Sequence, residues 1–245
     1  MSLRGATVDL DDTLFAQQEW LAGAWEAVAE EGGRRGLAGP RLLTSLRAVA
    51  AEGSDRGGII DRAVAAVGAD PDRHRDALVA TFAAHAPRSL PCYPGAADAL
   101  RALRAQVPVV CVTDGNPRIQ RAKLAALGLG TAFDGVVISD ELGSRHLRKP
   151  DPTPFRAAVR MLGLAPEDVV HIGDRPAKDV QGAAAAGLRC IRVRTGEYAG
   201  QDGATAPWAE APSFAAAVGI CLAEIGTAEI GGTEIPGTVG GPVRL

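Results

Sequence analysis

Three aspartates, Asp9, Asp11 and Asp12, stand within four positions directly after a short apolar run. Because alternate side chains along a strand point to the same side, Asp9 and Asp11 are expected to face one way and Asp12 the other. Two carboxylates that converge at a strand end repel each other unless a cation lies between them, and their hard oxygen atoms suit Mg²⁺. The alternative is a solvated acidic turn in which Thr13 begins a helix as its N-cap.

A second group of polar residues follows the apolar run at 107–112 (VPVVCV). Thr113, Asp114 and Gly115 come directly after this predicted strand, and Asn116 then begins a predicted helix as its N-cap, with a proline after it. A hydroxyl, free backbone amides and a helix N-terminus together form a site for an anion. The alternative is ordinary helix capping, which suits Asn116 better than Thr113.

Lys149 is placed on an extended loop by the proline that follows it, because Pro150 disfavours helical geometry at the preceding residue. A helix is predicted to restart with Thr153 as its N-cap and Pro154 in its first turn. The chain has 26 basic residues, of which only three are lysines, at positions 123, 149 and 178. A compact ammonium can contact a phosphoryl oxygen and a carboxylate together, so this lysine is a candidate for a site that contains both.

Two further carboxylates, Asp174 and Asp179, follow the apolar run at 168–172. Asp174 comes directly after the predicted strand, and Asp179 lies about one helical turn beyond it. The alternative for Asp179 is a solvated carboxylate on a helix face, paired with an arginine. In open α/β sheets, ligands bind beyond the carboxyl ends of the strands, where the strand order reverses. Four separate turns that supply carboxylates, a hydroxyl and an ammonium therefore predict one site for phosphoryl transfer.

The elements that must position these groups are short apolar runs that alternate with helical segments. This alternation predicts an α/β fold with a mostly parallel, Rossmann-like sheet. The predicted strands are residues 6–9, 107–112, 135–139, 168–172 and 189–193. A further helix is predicted from about Pro176, and Gly187 is its expected C-terminal stop.

Residues 15–90 interrupt the alternation and predict an inserted helical-bundle cap. Their amphipathic segments, separated by Gly- and Pro-containing breakers, are about 16–31, 40–52, 58–67 and 72–85. The α/β core is then discontinuous, with residues 1–14 and 91–226. Residues 227–245 are rich in Gly, Thr and Pro. They predict a loosely ordered tail, or alternatively a strand or arm docked on the sheet or on a partner subunit.

The composition excludes several classes of protein. The 245 residues are 47% hydrophobic and carry a net charge of −3, so neither nucleic acid nor an anionic membrane is an expected partner. No run approaches the roughly 20 apolar residues of a membrane span, and no secretory h-region follows the N-terminus. The four cysteines lack metal-ligand or redox spacing, which predicts reduced, mostly buried thiols and a cytoplasmic protein. A monomer or a homodimer is expected.

The motifs resemble those of the haloacid dehalogenase (HAD) superfamily: DLDDT at 9–13, Thr113 after an apolar strand, Lys149-Pro150, and GDRPAKD at 173–179. The resemblance extends over nearly residues 6–225. The insertion resembles the helical cap of the subgroup that includes small-molecule phosphatases. TDGNPRIQRAKLAALGL and FDGVVISDELG are most similar to the branch of nucleoside monophosphate and N-acylneuraminate 9-phosphate phosphatases. This resemblance implies a Mg²⁺-dependent phosphomonoester hydrolase for a small metabolite, such as a nucleoside monophosphate or a sugar phosphate.

The resemblance also implies a role for each residue of the motifs. Asp9 would attack phosphorus and form an aspartyl-phosphate, and Asp11 would protonate the leaving oxygen and then activate water. Mg²⁺ would be held by Asp9, by the backbone carbonyl of Asp11 and by Asp174, with Asp179 supporting that set. The groups expected to hold the phosphoryl oxygens are Thr13, Thr113, Asp114, Gly115 and Lys149.

Two features depart from the pattern of that branch. Asp114 stands where asparagine is usual, and its negative charge weakens phosphate binding unless a cation offsets it. The LGSRHLRKP loop before Lys149 is longer than usual, so Arg145, His146 and Arg148 become candidates to face the substrate. In the cap, the candidate pocket residues are Trp20, Trp25, Arg56 and Arg62, with bundle core or solvated helix face as the alternative for each.

Three other functions stay open on the same fold. A phosphomutase would need the cap to rebind a bisphosphate intermediate. A dehalogenase would need no second aspartate, because a halide leaves without a proton, so Asp11 argues against that reaction. A non-catalytic binding module is the third alternative, although Asp9, Lys149 and Asp174 are all present.

Overall fold

The computed structural model describes residues 3–54 and 56–230. A parallel six-stranded sheet forms its centre, in the order β3-β2-β1-β4-β5-β6. The strands are β1 Gly5–Val8, β2 Val109–Thr113, β3 Gly135–Ile138, β4 Val169–Gly173, β5 Arg189–Val193 and β6 Ala209–Ala211. The helices are α1 Gln17–Arg34, α2 Gly39–Ala50, α3 Ile59–Ala66, α4 Arg75–Ala84, α5 Ala96–Arg104, α6 Pro117–Ala126, α7 Thr153–Leu162, α8 Gln181–Ala185 and α9 Phe214–Ile230.

The predicted α/β fold is confirmed. Every residue of β1, β2 and β4 is buried, because helices cover both faces of the sheet, and such strands are continuous apolar runs rather than alternating ones. The five predicted strands are present, with ends displaced by no more than two residues. Strand β6 was not predicted, because its three residues, Ala-Glu-Ala, contain no apolar run.

The central position of β1 explains where a site can form. Its neighbours are β2 on one side and β4 on the other, and the chain continues outward from each of them in opposite directions. The order therefore reverses at β1, which leaves a crevice at the carboxyl ends of these three strands. The backbone N–H of Asp9 donates to the carbonyl of Ile172 at 2.9 Å, which fixes the end of β1 beside the end of β4.

Helices α1 to α4 lie between β1 and β2 along the chain and follow the four predicted amphipathic segments. Helix α1 packs against α2 and α4. The Trp25 and Phe82 rings stack with their centroids 4.7 Å apart, and Trp20 meets Phe82 edge-on at 5.0 Å. Whether residues 15–90 form a cap domain apart from a core of 1–14 and 91–226 remains a prediction.

Of the two N-caps predicted for α6 and α7, the first is confirmed and the second is wrong. Asn116 caps α6, because its side-chain oxygen accepts from the N–H of Arg118 at 2.9 Å. Thr153 was predicted as the N-cap of α7, and this was wrong: Thr153 is the first helical residue, and its N–H donates to Asp151 Oδ1 at 2.8 Å. The N-cap position is Pro152, which has no side-chain acceptor, so the preceding aspartate takes that role.

Helices α8 and α9 bear on the helix predicted from Pro176 and on the predicted C-terminal tail. The segment from Pro176 begins with one turn of π-helix, Pro176–Val180, and continues as α8. Gly187 follows α8 with a φ of 85°, as expected for a C-terminal stop. Helix α9 reaches Ile230, so residues 227–230 of the predicted tail are helical. The remainder of that tail, 231–245, lies outside the described residues.

The state of the cysteines and the length of the apolar helices were both predicted from the composition. All four cysteines are free thiols, and three of them are buried. Within residues 3–54 and 56–230, no helix is both long and apolar enough to cross a bilayer.

Candidate active site

A cluster of three buried aspartates lies in the crevice at the end of β1. Carboxylate oxygens of Asp9, Asp174 and Asp179 all lie within 4.8 Å of one another. Asp174 is 1% exposed, and among the described residues neither of its carboxylate oxygens has a hydrogen-bond partner. A buried carboxylate without a partner is costly, so the arrangement fits a cation that these oxygens would hold.

The pKa values of two of these aspartates reflect the same crowding. Burial, together with the neighbouring carboxylates of Asp179 and Asp9, raises the pKa of Asp174 well above its usual range. Burial raises the pKa of Asp9 to about 7, with Lys149 acting in the opposite direction. A divalent cation would favour the ionised forms of both groups, and hard oxygen donors suit Mg²⁺.

Asp179 differs from Asp174 because its oxygens already have donors. Its Oδ1 accepts from Lys149 Nζ at 2.7 Å and contacts His171 Nε2 at 3.1 Å, and its Oδ2 accepts from the Arg175 N–H at 2.9 Å. Burial acts to raise the pKa of Asp179, but Lys149 and His171 hold it well below its usual range. Asp179 is therefore placed to orient Lys149, while Asp174 keeps its oxygens free for a cation.

The end of β4 is built to bring these carboxylates together. A Cβ atom on Gly173 would lie 2.4 Å from Asp179 Cγ, so only glycine allows this close approach. The buried Arg192 guanidinium donates from Nε to the carbonyl of Asp174 at 3.2 Å and holds the turn from the β5 side. The positions of Asp174 and Asp179 thus depend on a glycine and an arginine from two adjacent strands.

Lys149 lies in a turn at the carboxyl ends of the strands, closed by a hydrogen bond from the Asp151 N–H to the Arg148 carbonyl at 3.0 Å, and not on the extended segment that was predicted. The residue is 4% exposed, and its ammonium donates to Asp9 Oδ1, to Asp179 Oδ1 and, at 3.2 Å, to the carbonyl of Val112. Burial acts to lower the pKa of Lys149, but the carboxylates of Asp179 and Asp9 raise it well above its usual value. The side chain therefore stays charged beside the candidate nucleophile.

The two aspartates after Asp9 diverge, as strand alternation predicts. Asp11 borders the same cavity as Asp9. Asp12 turns away with a φ of 57° and accepts from the N–H of Gln17 at 2.9 Å and from that of Glu197 at 3.3 Å. An aspartate tolerates this left-handed geometry better than most residues, because its short side chain can bond locally.

Thr13 does not begin α1. Ala16 is the N-cap of that helix, and the buried Thr13 hydroxyl donates to Asp9 Oδ2 at 3.2 Å. With Lys149 on Oδ1, both oxygens of Asp9 are oriented by donors. The alternative of a solvated turn is thus excluded for this segment. Thr13 contacts the candidate nucleophile directly, whereas its expected contact with a phosphoryl oxygen stays a prediction.

The segment after β2 brings a hydroxyl and a carboxylate to the cavity. Thr113 is buried at the last position of β2, and Gly115 adopts a φ of 126°. Asp114 Oδ1 accepts from the N–H of Lys149 at 3.1 Å, and its Oδ2 lies 3.9 Å from Lys178 Nζ. The charge at position 114 is therefore offset by a lysine, whose role was not predicted.

The long loop before Lys149 brings one of its three candidates to the cavity. Arg148 lines it, and its guanidinium forms two hydrogen bonds of 2.6 Å with Asp140. Arg145 borders a neighbouring cavity of about 330 Å³ between the loop and helices α1, α3 and α4, whereas His146 is exposed.

The cavity at the cluster has a volume of about 160 Å³. From the α1–α4 segment, Gln17 and Ser54 border it, and the Ser54 hydroxyl donates to Glu197 Oε2 at 2.6 Å. The candidate pocket residues chosen from the sequence lie elsewhere. Trp20 is buried among the helices, and Arg56 and Arg62 are exposed. Trp25 is also buried, but it borders the neighbouring cavity of about 330 Å³.

Three buried residues of the site were missed in the sequence. Gln120 Nε2 donates to Asp11 Oδ2 at 2.9 Å, Lys123 Nζ donates to Asp11 Oδ1 at 2.6 Å, and His171 contacts Asp179. A signal existed for two of them. Lys123 is one of only three lysines, and His171 is a polar residue inside an otherwise apolar strand.

Asp174→Asn is expected to stabilise the protein in chelator and to remove its stabilisation by Mg²⁺. Because the pKa of Asp174 is raised in the folded state, its ionisation costs stability as the pH rises through that pKa, and asparagine mimics the neutral form. At pH 8 in chelator we expect a gain of about 1–3 kcal/mol, or roughly 2–4 °C per kcal/mol in Tm.

The measurement is thermal unfolding of both proteins with chelator and with excess Mg²⁺. Wild-type Tm should rise with Mg²⁺, and that of the variant should not. An equal rise in both proteins would contradict a metal site at Asp174. Asp202→Asn, at an exposed aspartate, is the matched control and should respond to Mg²⁺ as wild type does.

Comparison with known proteins agrees with this geometry. The profile of the haloacid dehalogenase-like hydrolases matches residues 3–187. A glyceraldehyde 3-phosphate phosphatase from Methanopyrus kandleri is 35% identical over 204 residues, which cover 80% of this chain and 86% of the relative. A phosphoglycolate phosphatase from Cereibacter sphaeroides is 36% identical over 192 residues, covering 76% of this chain and 82% of the relative.

Solved structures show the same fold. A HAD phosphatase from Thermococcus onnurineus superposes with a TM-score of 0.63 at 20% identity and covers 89% of this chain and 97% of its own. The curated relatives confirm the expectation of a phosphoric monoester hydrolase. The finer assignment to the nucleoside monophosphate and N-acylneuraminate 9-phosphate branch remains a prediction. From its motifs, its fold and these matches, the chain belongs to the haloacid dehalogenase-like hydrolase family.

Proposed function

We propose that this protein is a Mg²⁺-dependent phosphatase that cleaves small phosphomonoesters through an aspartyl-phosphate on Asp9. The observation that carries the proposal is the pairing of two carboxylates in one crevice. Asp9 is oriented on both oxygens by Lys149 and Thr13, and beside it Asp174 is buried without a hydrogen-bond partner among the described residues. A positioned nucleophile next to a site that fits a cation is what phosphoryl transfer requires.

In the first step, an Asp9 carboxylate oxygen attacks phosphorus and the bond from phosphorus to the ester oxygen breaks. Asp11 donates a proton to that departing oxygen, so the leaving group departs as an alcohol. Lys149 and Thr113 stabilise the negative charge on the phosphoryl oxygens, with the backbone N–H groups after β2.

In the second step, the phosphate is transferred from Asp9 to water. Asp11, now a carboxylate, removes a proton from the water as its oxygen attacks phosphorus. The bond from phosphorus to the Asp9 oxygen then breaks, which releases inorganic phosphate and restores both aspartates. The same residue thus serves as acid and then as base.

Asp9, Asp174 and the backbone carbonyl of Asp11 would hold the metal, while Asp179 keeps Lys149 in place. When bound, Mg²⁺ supplies charge neutralisation between the carboxylates and the phosphoryl group. The donor set supports this ion because it consists of oxygen atoms, which Mg²⁺ prefers over the nitrogen and sulfur atoms that zinc favours.

The size of the cavity favours substrates of two or three carbons. Its volume of about 160 Å³ lies below the roughly 300–1,000 Å³ typical of sites for drug-sized ligands. The phosphatases named in the comparisons take glyceraldehyde 3-phosphate, phosphoserine and phosphoglycolate. We therefore place these three esters before a nucleoside monophosphate as substrates of this chain.

A substrate panel is expected to rank the esters by size. With Mg²⁺, kcat/KM for the best of these three small esters should exceed that for a nucleoside monophosphate or N-acylneuraminate 9-phosphate by about tenfold or more, because a larger leaving group does not fit the cavity. Released phosphate is measured with purified protein. Chelator should stop the release, Mg²⁺ should restore it, and excess Ca²⁺, with its longer bonds, should inhibit it.

Other outcomes would overturn parts of this proposal. Undiminished activity in chelator would exclude the metal, and a preference for the nucleotide would exclude the small-substrate assignment. Chloride release from 2-chloropropionate in place of phosphate release would identify a dehalogenase.

A further inference from the structure

We propose that Gln120 and Lys123 are positioning residues that aim the Asp11 carboxylate and the Thr113 hydroxyl proton at the reaction centre. The inference rests on the proposed phosphatase function, in which Asp11 is the acid and base. Both residues lie in the stretch TDGNPRIQRAKLAALGL, but no role at the site was predicted for either of them. Both act through another side chain rather than by direct contact with the phosphoryl group.

Lys123 is buried in a place that stability does not explain. Its side chain is 4% exposed, and its ammonium lies 2.6 Å from Asp11 Oδ1 and 4.8 Å from the centre of the Trp20 ring. Moving an ammonium and a carboxylate out of water costs several kcal/mol per ion, and apolar residues of similar size are often as stable or more so. A buried lysine at this position is therefore better explained by what it does to Asp11.

Gln120 connects the two catalytic groups of the proposed mechanism. Its Nε2 donates to Asp11 Oδ2 at 2.9 Å and also to Thr113 Oγ1. Asp11 Oδ2 is the acceptor in this contact, so the amide turns its nitrogen, and not its oxygen, toward Asp11. The oxygen and nitrogen of a glutamine amide have nearly the same shape, and the contact with Asp11 therefore determines which of the two faces it.

The direction of the amide determines the direction of the Thr113 proton. A hydroxyl has one proton to donate, and because the Thr113 oxygen accepts from Gln120, its own O–H is left for another acceptor. Thr113 borders the cavity that contains Asp9 and Lys149. A phosphoryl oxygen bound there is the acceptor that this O–H would reach.

Helix α6 holds both positioning residues on one face. Positions 120 and 123 are three residues apart, so their side chains are neighbours on the helix surface. The helix begins at the capped Asn116, directly after the segment that carries Thr113. A single rigid element therefore sets Asp11 and Thr113 relative to each other.

The first test compares phosphoenzyme formation from two esters in Lys123→Met. General-acid help matters for an alkoxide leaving group and little for a nitrophenolate, so a misaimed Asp11 should affect only the alkyl ester. We expect the pre-steady-state burst to slow about 10- to 100-fold with an alkyl phosphate and less than about threefold with nitrophenyl phosphate. Lys123→Arg, which keeps the charge, should recover part of the loss.

Two comparisons separate positioning from a structural role. Arg118→Met removes the same charge from an exposed position of α6 and should leave both bursts unchanged. In an Asp11→Asn background, Lys123→Met should cause no further loss, because the two changes remove the same contribution. Additive losses, or equal losses for the two esters, would overturn the role of Lys123.

The second test concerns the Thr113 proton. Gln120→Glu places an acceptor opposite both Asp11 and Thr113, so it should repel the carboxylate and take the hydroxyl proton. We expect it to raise the Kd for inorganic phosphate about tenfold, and Gln120→Met, which leaves the hydroxyl free to rotate, to change it less than about threefold. Calorimetric titration measures both. Equal affinities in the two variants would overturn the role of Gln120.

The Asp11→Asn variant distinguishes failure of this inference from failure of the proposed function. If Asp11→Asn slows the alkyl burst selectively and Lys123→Met does not, the positioning proposal is wrong and the phosphatase mechanism stands. If Asp11→Asn itself slows both bursts equally, Asp11 is not the acid, and the positioning proposal fails together with the acid role of Asp11 in the proposed mechanism, while the nucleophilic role of Asp9 is tested separately.

Discussion

Asp9→Asn is expected to abolish phosphate release, with a loss on the order of 10⁴-fold or more, while the fold stays intact. An amide cannot form the aspartyl-phosphate, so the covalent step is lost. Its local contacts can persist, because an amide oxygen accepts from Lys149 and an amide nitrogen donates to the Thr13 oxygen. Since burial raises the pKa of Asp9 to about 7, a neutral residue is tolerated at this position.

The measurement pairs turnover with detection of the intermediate. Acid-quenched wild-type enzyme should carry a base-labile phosphate by mass spectrometry, and Asp9→Asn should not. Asp12→Asn is the matched control in the same turn. Asp12 faces away from the cavity, and asparagine also adopts its φ of 57°, so turnover should stay within about tenfold of wild type. Near-normal turnover in Asp9→Asn would exclude the proposed nucleophile.

Lys149→Met is expected to cause the largest loss of stability, about 3–5 kcal/mol at neutral pH, together with loss of turnover. The ammonium is the shared donor to Asp9 and Asp179, and its removal leaves two buried carboxylates facing each other. The loss should depend on pH. In wild type, Lys149 holds the pKa of Asp179 well below its usual range, so that carboxylate stays ionised and paired near pH 4. Without the ammonium, burial raises the pKa of Asp9 and of Asp179, so the stranded carboxylates take up protons as the pH falls and the penalty decreases.

Denaturant unfolding in chelator at pH 7.5 and near pH 4 measures this dependence, and the difference between wild type and variant should shrink at the lower pH. A second change provides the control. Adding Asp179→Asn to Lys149→Met removes one of the stranded charges and should recover part of the stability without recovering turnover. Equal stability of Lys149→Met and wild type at both values of pH would contradict the buried charge cluster as described.

The sequence alone determined the fold class and which residues would meet at the candidate site. Apolar strands that alternate with helices depend on local patterns, and parallel strands bring their carboxyl ends to one edge. For that reason Asp9, Thr113 and Asp174, each directly after a strand, were predictable as neighbours without any knowledge of packing. Lys149 was predictable as a residue outside a helix, because the proline after it disfavours helical geometry, but the turn that contains it was not predicted.

Tertiary structure alone decided which partner each of these groups has. Asp174 and Asp179 are both acidic residues of one short segment, yet one lacks a hydrogen-bond partner among the described residues and the other has three donors. Likewise, Lys123 meets Asp11 across 112 positions of sequence. Such pairings arise from the way helices and strands pack, and local patterns carry no information about contacts between segments so far apart.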